Sequence, residues 1–214
     1  FSGVGKTEDE LKLAINKKIL LINVESESEA ILINKIAKKY NKKVSIGFRL
    51  NPNVDAKTHK KISTGMAENK FGLSIKNFKN FYKSINSFKN LRLNAISVHI
   101  GSQILSDAPY KKTLNVLARI INDLKIKPAY VDLGGGFGIS YKKKDKMVNL
   151  NNYAKLVYKF KKKLNCNIIF EPGRILVGNS GILVSKIQYI KKGQNKNFII
   201  LDAGMNDFMR PALY

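Results

Sequence analysis

Short apolar runs and helix-spaced runs alternate along this chain, and a polar or glycine residue closes each apolar run. The runs at 20–24, 44–48, 95–99, 129–133 and 167–170 are short enough to be buried strands and carry no helical period. Between them, apolar residues recur at helical spacing: Ile33, Ile36, Ala37 and Tyr40, then Ile75, Phe78, Tyr82 and Ile85, then Leu114, Leu117, Ala118, Ile121 and Leu124. A further helix is expected over 153–164, and an earlier one carries Leu11, Ala14 and Ile15. Thr7 with Glu10 and Ser26 with Glu29 have capping-box spacing, and Ser74 opens the helix of Ile75. Repeated strand–helix units with apolar strands predict a parallel sheet covered by helices.

The residues that close the strands are Glu25, Arg49, His99, Gly134 and Glu171. In a (β/α)8 barrel that rim is the active-site face, and phosphate is commonly bound by the loops after the last two strands. Taking the strand before Glu171 as the eighth makes the strand ending at Val24 the fourth and leaves Phe1-Ser2-Gly3 as the tail of the third. On this count the first two strands are missing and the chain is an internal fragment. A doubly wound open sheet is the alternative fold. After Gly178 the pattern changes: 181–187 and 198–201 read as strands joined by a polar turn over 191–196, with no helix between. The expected domains are therefore 1–178, a partial barrel, and 179–214, the beginning of a C-terminal β-domain.

Composition narrows the class. No apolar run reaches the roughly 18 residues of a membrane helix, and the first residues lack the pattern of a signal peptide. The single cysteine, Cys166, excludes an internal disulfide and fits a reducing compartment, pointing to the cytoplasm. It is expected to be a small buried apolar residue at a strand start. The net charge of +24 raises the possibility of nucleic acid. The lysines, however, are spread along helices, as in Lys38-Lys39, Lys111-Lys112 and Lys161-Lys162-Lys163. Together with the abundance of Asn and Ile, this fits the codon bias of an AT-rich gene. Lys142-Lys143-Lys144 is the densest basic run and reads as a loop.

Two loops carry the chemistry. Asp132-Leu133-Gly134-Gly135-Gly136-Phe137-Gly138 follows one strand, and its glycines let backbone N–H groups approach a phosphate unobstructed. Phe170-Glu171-Pro172-Gly173-Arg174 follows the next strand and sets an anion and a cation close together. A phosphate cradle beside a fixed carboxylate and guanidinium suits a phosphorylated ring cofactor, with one charged group left for substrate. No metal is expected.

With these loops stand further strings: 49–56, 60–65, 70–72, His99-Ile100-Gly101-Ser102-Gln103-Ile104, 178–181 and 202–214. In this order, from end to end, the chain resembles the diaminopimelate decarboxylases, which are fold type III pyridoxal-phosphate enzymes with an alanine-racemase-like barrel. The resemblance implies a partial TIM barrel, pyridoxal 5'-phosphate as cofactor, and decarboxylation of meso-2,6-diaminopimelate to L-lysine. It further implies a homodimer with shared active sites and no nucleic-acid or membrane partner. Glu171 would meet the pyridine nitrogen, and Gly134, Gly135, Gly136 and Ser102 the phosphate. His99 would stack on the ring, with Pro172, Gly173, Arg174 and Arg49 also near the cofactor. Arg174, Arg210 and Tyr214 would bind substrate, and Lys70 would serve the subunit interface. His59 reads as an ordinary loop residue. The family's Schiff-base lysine would lie upstream of Phe1 and other site residues beyond Tyr214, so the 214-residue piece alone is expected to be inactive. The remaining alternatives are a sister decarboxylase acting on ornithine, arginine or carboxynorspermidine, and a non-enzymatic cofactor-holding or basic nucleic-acid-binding protein.

Overall fold

The computed structural model describes residues 1–56, 64–65, 70–141, 145 and 147–209. His59, the strings 60–63 and 142–144, Arg210 and Tyr214 lie outside them. Two compact units divide the chain, Phe1–Ile175 and Leu176–Tyr214.

The first unit begins with α1 (Glu8–Asn16), β1 (Ile22–Val24), α2 (Glu27–Lys39) and β2 (Val44–Asn51). The two-residue β3 (Leu73–Ser74) leads into α3 (Ile75–Ser84). Then follow β4 (Leu91–Ser97), α4 (Ala108–Asp123), β5 (Tyr130–Asp132), α5 (Leu150–Leu164), β6 (Asn167–Ile169) and α6 (Arg174–Val177), whose last two residues belong to the second unit. The strands are parallel in the order β1-β2-β4-β5-β6, with β3 added to β2. Each long strand therefore lies beside its predecessor in the chain. A doubly wound sheet reverses its strand order at a switch point; this one runs on in a single direction, as a barrel wall does.

The sheet is also rolled. Asn23 on β1 donates from Nδ2 to Asp132 Oδ2 on β5 at 2.7 Å. Three strand spacings in a flat sheet would separate those backbones by about 14 Å. The short side chains meet because the wall curves and because little stands between them. A Cβ on Gly47 would lie 2.5 Å from Asn23 Oδ1 and 3.1 Å from the Ala95 methyl group. Phe1 continues the wall past β1: its N–H donates to Leu21 O at 2.7 Å and its carbonyl accepts from Asn23 N at 2.9 Å.

The helices cover the convex face with the spacings expected of them. α2 buries Ala30, Ile33, Ile36 and Ala37; α4 buries Leu114, Leu117, Ile120 and Ile121. Each leucine or isoleucine among them contributes about 1.5–3 kcal/mol on burial. Phe48 on β2 meets Phe78 and Phe81 of α3 at ring-centroid distances of 5.6 and 5.1 Å. α5 ends on Asn165 in the left-handed conformation, and Cys166 then enters β6 buried, as its small apolar character requires.

Two local expectations are corrected. Thr7 and Glu10 form a complete capping box, but Ser26 and Glu29 form only half of one. Ser26 Oγ accepts from Glu29 N, whereas the Glu29 carboxylate turns to Lys6 Nζ at 2.7 Å and to Glu25 N at 2.7 Å. The Lys6 ammonium is buried and needs that charge; Gly3 O and Asn23 O, each at 2.6 Å, accept its other bonds. In the second unit, the hairpin is shifted along the chain. β7 (Ile187–Lys192) pairs antiparallel with β8 (Asn197–Leu201), and the turn is closed by Gly193 N on Lys196 O at 3.0 Å. The short β8 gives ladder partners only from Ile187 onward, so the apolar run at 182–184 is not strand and stands exposed.

Candidate active site

The C-terminal ends of β1, β2, β4, β5 and β6 carry the polar residues that close the strands. Glu25 follows β1, Arg49 lies within the end of β2, and His99, Gly134 and Glu171 each sit two residues beyond a strand. Main-chain and side-chain bonds tie three of these ends together. Glu171 N donates to Gly134 O at 2.8 Å, and Gly135 N donates to His99 Nδ1 at 3.2 Å.

The glycines are required by space as well as by conformation. Gly134 and Gly136 have φ of +64° and +92°, in the region that favours glycine. A Cβ on Gly135 would fall 2.1 Å from Glu171 O, and one on Gly136 would fall 2.1 Å from Gly101 O. Two of the three glycine amides are engaged within the protein, Gly134 N on Asp132 Oδ1 at 2.9 Å and Gly135 N on His99. The Gly136 N–H and the Ser102 hydroxyl make no hydrogen bond among the described residues. Among the described residues both are free to donate to an anion. Tyr110 OH donates to Gly135 O at 3.1 Å, bracing the loop from α4; burial raises its phenol far above the ordinary value.

His99 is half-buried. Its pKa lies below the ordinary value, first because burial disfavours the imidazolium, then because the Arg49 charge is near; Glu171 and Glu25 oppose the shift. The neutral ring accepts at Nδ1, so Nε2 carries the proton. The folded value lies below the 6.5 of an unperturbed histidine, so His99 favours the folded state fully above that pH. That contribution is lost as the pH falls from there through the folded value. In an NMR titration of the two histidines, His99 is expected to show a midpoint below 6.5. A midpoint at or above it would contradict the Gly135–His99 bond.

Glu171 is exposed, and its Oε1 accepts from Ser2 Oγ. It lines an open cleft of about 420 Å³ with Phe1, Asn23, Asp132 and Ile169, which extends to Ile19 and Leu20 ahead of β1; neither His99 nor the glycines line it. Asp132 is buried at the back of this cleft. Burial pushes its carboxyl up to about 6, the charge of Glu171 acts in the same direction, and the bonds from Gly134 and Asn23 act against it. Arg49 is buried and paired with Glu25, Nη1 to Oε1 at 2.7 Å, and stacks on the Phe71 ring at 4.8 Å. Arg174 Nη1 donates to Gln103 Oε1 at 2.8 Å, and its guanidinium lies 5.8 Å from the centre of the Tyr141 ring. Pro172 and Gly173 are exposed, with open space around the Gly173 Cα. Lys70 is exposed over Phe71.

Sequence reasoning brought His99, the glycines, Glu171 and Arg174 to one rim. Glu25 stood on the same rim, and Asp132 and Gln103 within the motifs, but the bonds by which they hold the site were missed, and so was Tyr110. Glu25 and Asp132 sit at strand ends, which is a signal; Tyr110 gave none.

This rim and its parallel wall define a class. The chain belongs to the pyridoxal-dependent decarboxylases, whose pyridoxal-binding domain matches residues 1–178. Within that class several similar proteins are diaminopimelate decarboxylases. The diaminopimelate decarboxylases of Aquifex aeolicus and Vibrio cholerae are each 43% identical over 100% of this chain and 52% of their own length. The crystal structure of the Helicobacter pylori diaminopimelate decarboxylase complexed with L-lysine superposes with a TM-score of 0.91 at 41% identity, covering 99% of this chain and 54% of that one. The M. jannaschii enzyme in co-complex with L-lysine gives 0.86 at 35% identity, covering 98% and 51%. The chain thus spans about half the length of the relatives it matches, and the rolled parallel wall is part of their TIM-like barrel. Among the described residues no helix is long and apolar enough to cross a membrane.

Proposed function

We propose that the complete protein carrying this chain decarboxylates meso-2,6-diaminopimelate to L-lysine and carbon dioxide with pyridoxal 5'-phosphate. The observation that supports it most is the rim itself, where the main chain of Glu171, the glycine loop and the His99 imidazole are bonded into one unit. The residues fit the cofactor: among the described residues Gly136 N–H and Ser102 Oγ are uncommitted donors for its phosphate, and Glu171 offers a carboxylate to a ring nitrogen. Gly134, Gly135, Pro172, Gly173 and Arg49 shape and charge the surroundings. Bound there, the cofactor supplies a sink for the electron pair released as carbon dioxide departs.

The chain's own residues do the rest. Glu171 holds a proton on the ring nitrogen by charge attraction. His99 offers a flat neutral face and takes no proton from the site at neutral pH. Arg174 binds a substrate carboxylate, a group that a guanidinium can grip with two parallel bonds, with Arg210 and Tyr214 assigned to the same task. A homodimer in the cytoplasm is the proposed setting. The test is substrate profiling of the full-length holoenzyme. Carbon dioxide release from meso-diaminopimelate, with none from ornithine, arginine or carboxynorspermidine, is expected. Preference for a diamine precursor would replace this reading with a sister activity.

A further inference from the structure

Among the described residues, Gln103, in the loop after β4, is the side chain that bonds both to the loop after β5 and to Arg174 at the start of α6. Its backbone has φ +60°, unusual for a residue with a side chain. That conformation turns the carboxamide across the rim. Nε2 donates to Ile139 O at 2.6 Å, and Oε1 accepts from Ile139 N at 3.2 Å. The pair copies the two-bond pattern of a sheet. It also fixes the amide: Ile139 O can only accept, so Nε2 must face it and Oε1 is left for donors. The backbone on either side is laddered as well, Ile104 N to Gly136 O and Gly138 N to Ile104 O, both at 2.9 Å. Gly138 is packed so closely that a Cβ would come 3.1 Å from the Gln103 carbonyl carbon. Gln103 is therefore clamped, and its outward bond goes to Arg174 Nη1 at 2.8 Å.

The chemistry of that contact matters more than its existence. Among the described residues Arg174 has no carboxylate partner; its hydrogen-bond partner is a neutral oxygen, with the Tyr141 ring beside it. A carboxylate there would aim the guanidinium equally well but would neutralise it. An amide oxygen aims it and leaves its charge for another anion. Arg49, by contrast, is paired with Glu25 and has spent its charge inside the protein.

We propose that Gln103 is a positioning residue that orients Arg174 without discharging it, and so makes Arg174 the receptor for the carboxylate that substrate and product share. The proposal rests on the assignment of Arg174 to substrate.

The test uses the full-length holoenzyme and two competitive ligands, L-lysine, which has that carboxylate, and 1,5-diaminopentane, which lacks it. Gln103→Glu and Gln103→Met are each expected to weaken L-lysine by about tenfold or more, while 1,5-diaminopentane changes by less than about twofold. The glutamate variant, nearer in shape, is expected to be the worse of the two because it pairs with Arg174. The absorbance band of the bound cofactor is expected to stay in place, which shows an intact site. Equal weakening of both ligands would make Gln103 a structural brace and overturn the proposal. So would a glutamate variant milder than the methionine one. Arg174→Met separates the two levels: if it lowers L-lysine affinity selectively and the Gln103 variants do not, the role of Gln103 falls alone. If Arg174→Met leaves the ratio of the two affinities unchanged, the assignment of Arg174 falls and takes this proposal with it.

Discussion

Glu171→Gln is expected to lower kcat of the full-length holoenzyme by roughly 10²–10⁴-fold, the scale on which a positioned proton-holding group contributes to catalysis. The substitution keeps the shape of the side chain and the main-chain bond from Glu171 N to Gly134 O. It removes only the negative charge, and with it the attraction that keeps a proton on the ring nitrogen. Glu171 is exposed, so the unfolding free energy from urea denaturation is expected to stay within about 0.5 kcal/mol of the parent. A second readout lies inside the protein. The charge of Glu171 helps hold the Asp132 carboxyl up at about 6, so in the glutamine variant Asp132 is expected to titrate lower. A kcat within about threefold of the parent would show that this carboxylate is not the group that keeps the ring protonated.

What the sequence disclosed of this site follows from how each residue is determined. The rim was legible because its residues stand at the ends of strands whose apolar runs are local signals; Val131 and Ile168 announce β5 and β6, and Gly134 and Glu171 each come three residues later. The sense of the wall was legible too, since alternation of strand and helix leaves few topologies. The bonds that secure the rim were not. Asn23 and Asp132 meet across 109 residues of sequence, and Arg174 and Gln103 across 71. Only the curvature of the wall, which depends on small residues such as Gly47 and Ala95, brings the first pair together. Likewise Glu29 had the spacing of a capping residue, and only the buried charge of Lys6 explains why it turns elsewhere. The hairpin was displaced because a run of apolar residues says that a strand is possible, while its pairing depends on the length of the partner, here the short β8.

Glu25→Ala is expected to produce the largest loss of stability of any single substitution at this rim. The Glu25 carboxylate is 2% exposed and makes two bonds, to Arg49 Nη1 at 2.7 Å and to Gly72 N at 2.8 Å. Removing it strands a guanidinium that is itself only 10% exposed. Breaking a buried pair from one side typically costs about 3–5 kcal/mol, because the surviving charge has no partner. The orphaned Gly72 amide adds about 1–3 kcal/mol if it stays buried. Replacing both partners, Glu25→Met with Arg49→Met, is expected to recover most of the loss, since a buried pair exchanged for apolar groups is often close to neutral. Function responds in a way that stability alone would not produce. Arg49 lowers the pKa of His99 and Glu25 raises it, so Glu25→Ala is expected to move the His99 titration further down and the double variant to move it back up. Urea unfolding of the three proteins, with NMR titration of His99 in each, reads both effects. A single variant as stable as the parent would mean that Arg49 finds water or another anion, and that the Glu25–Arg49 pair is not what holds the end of β2 against the strand beside it.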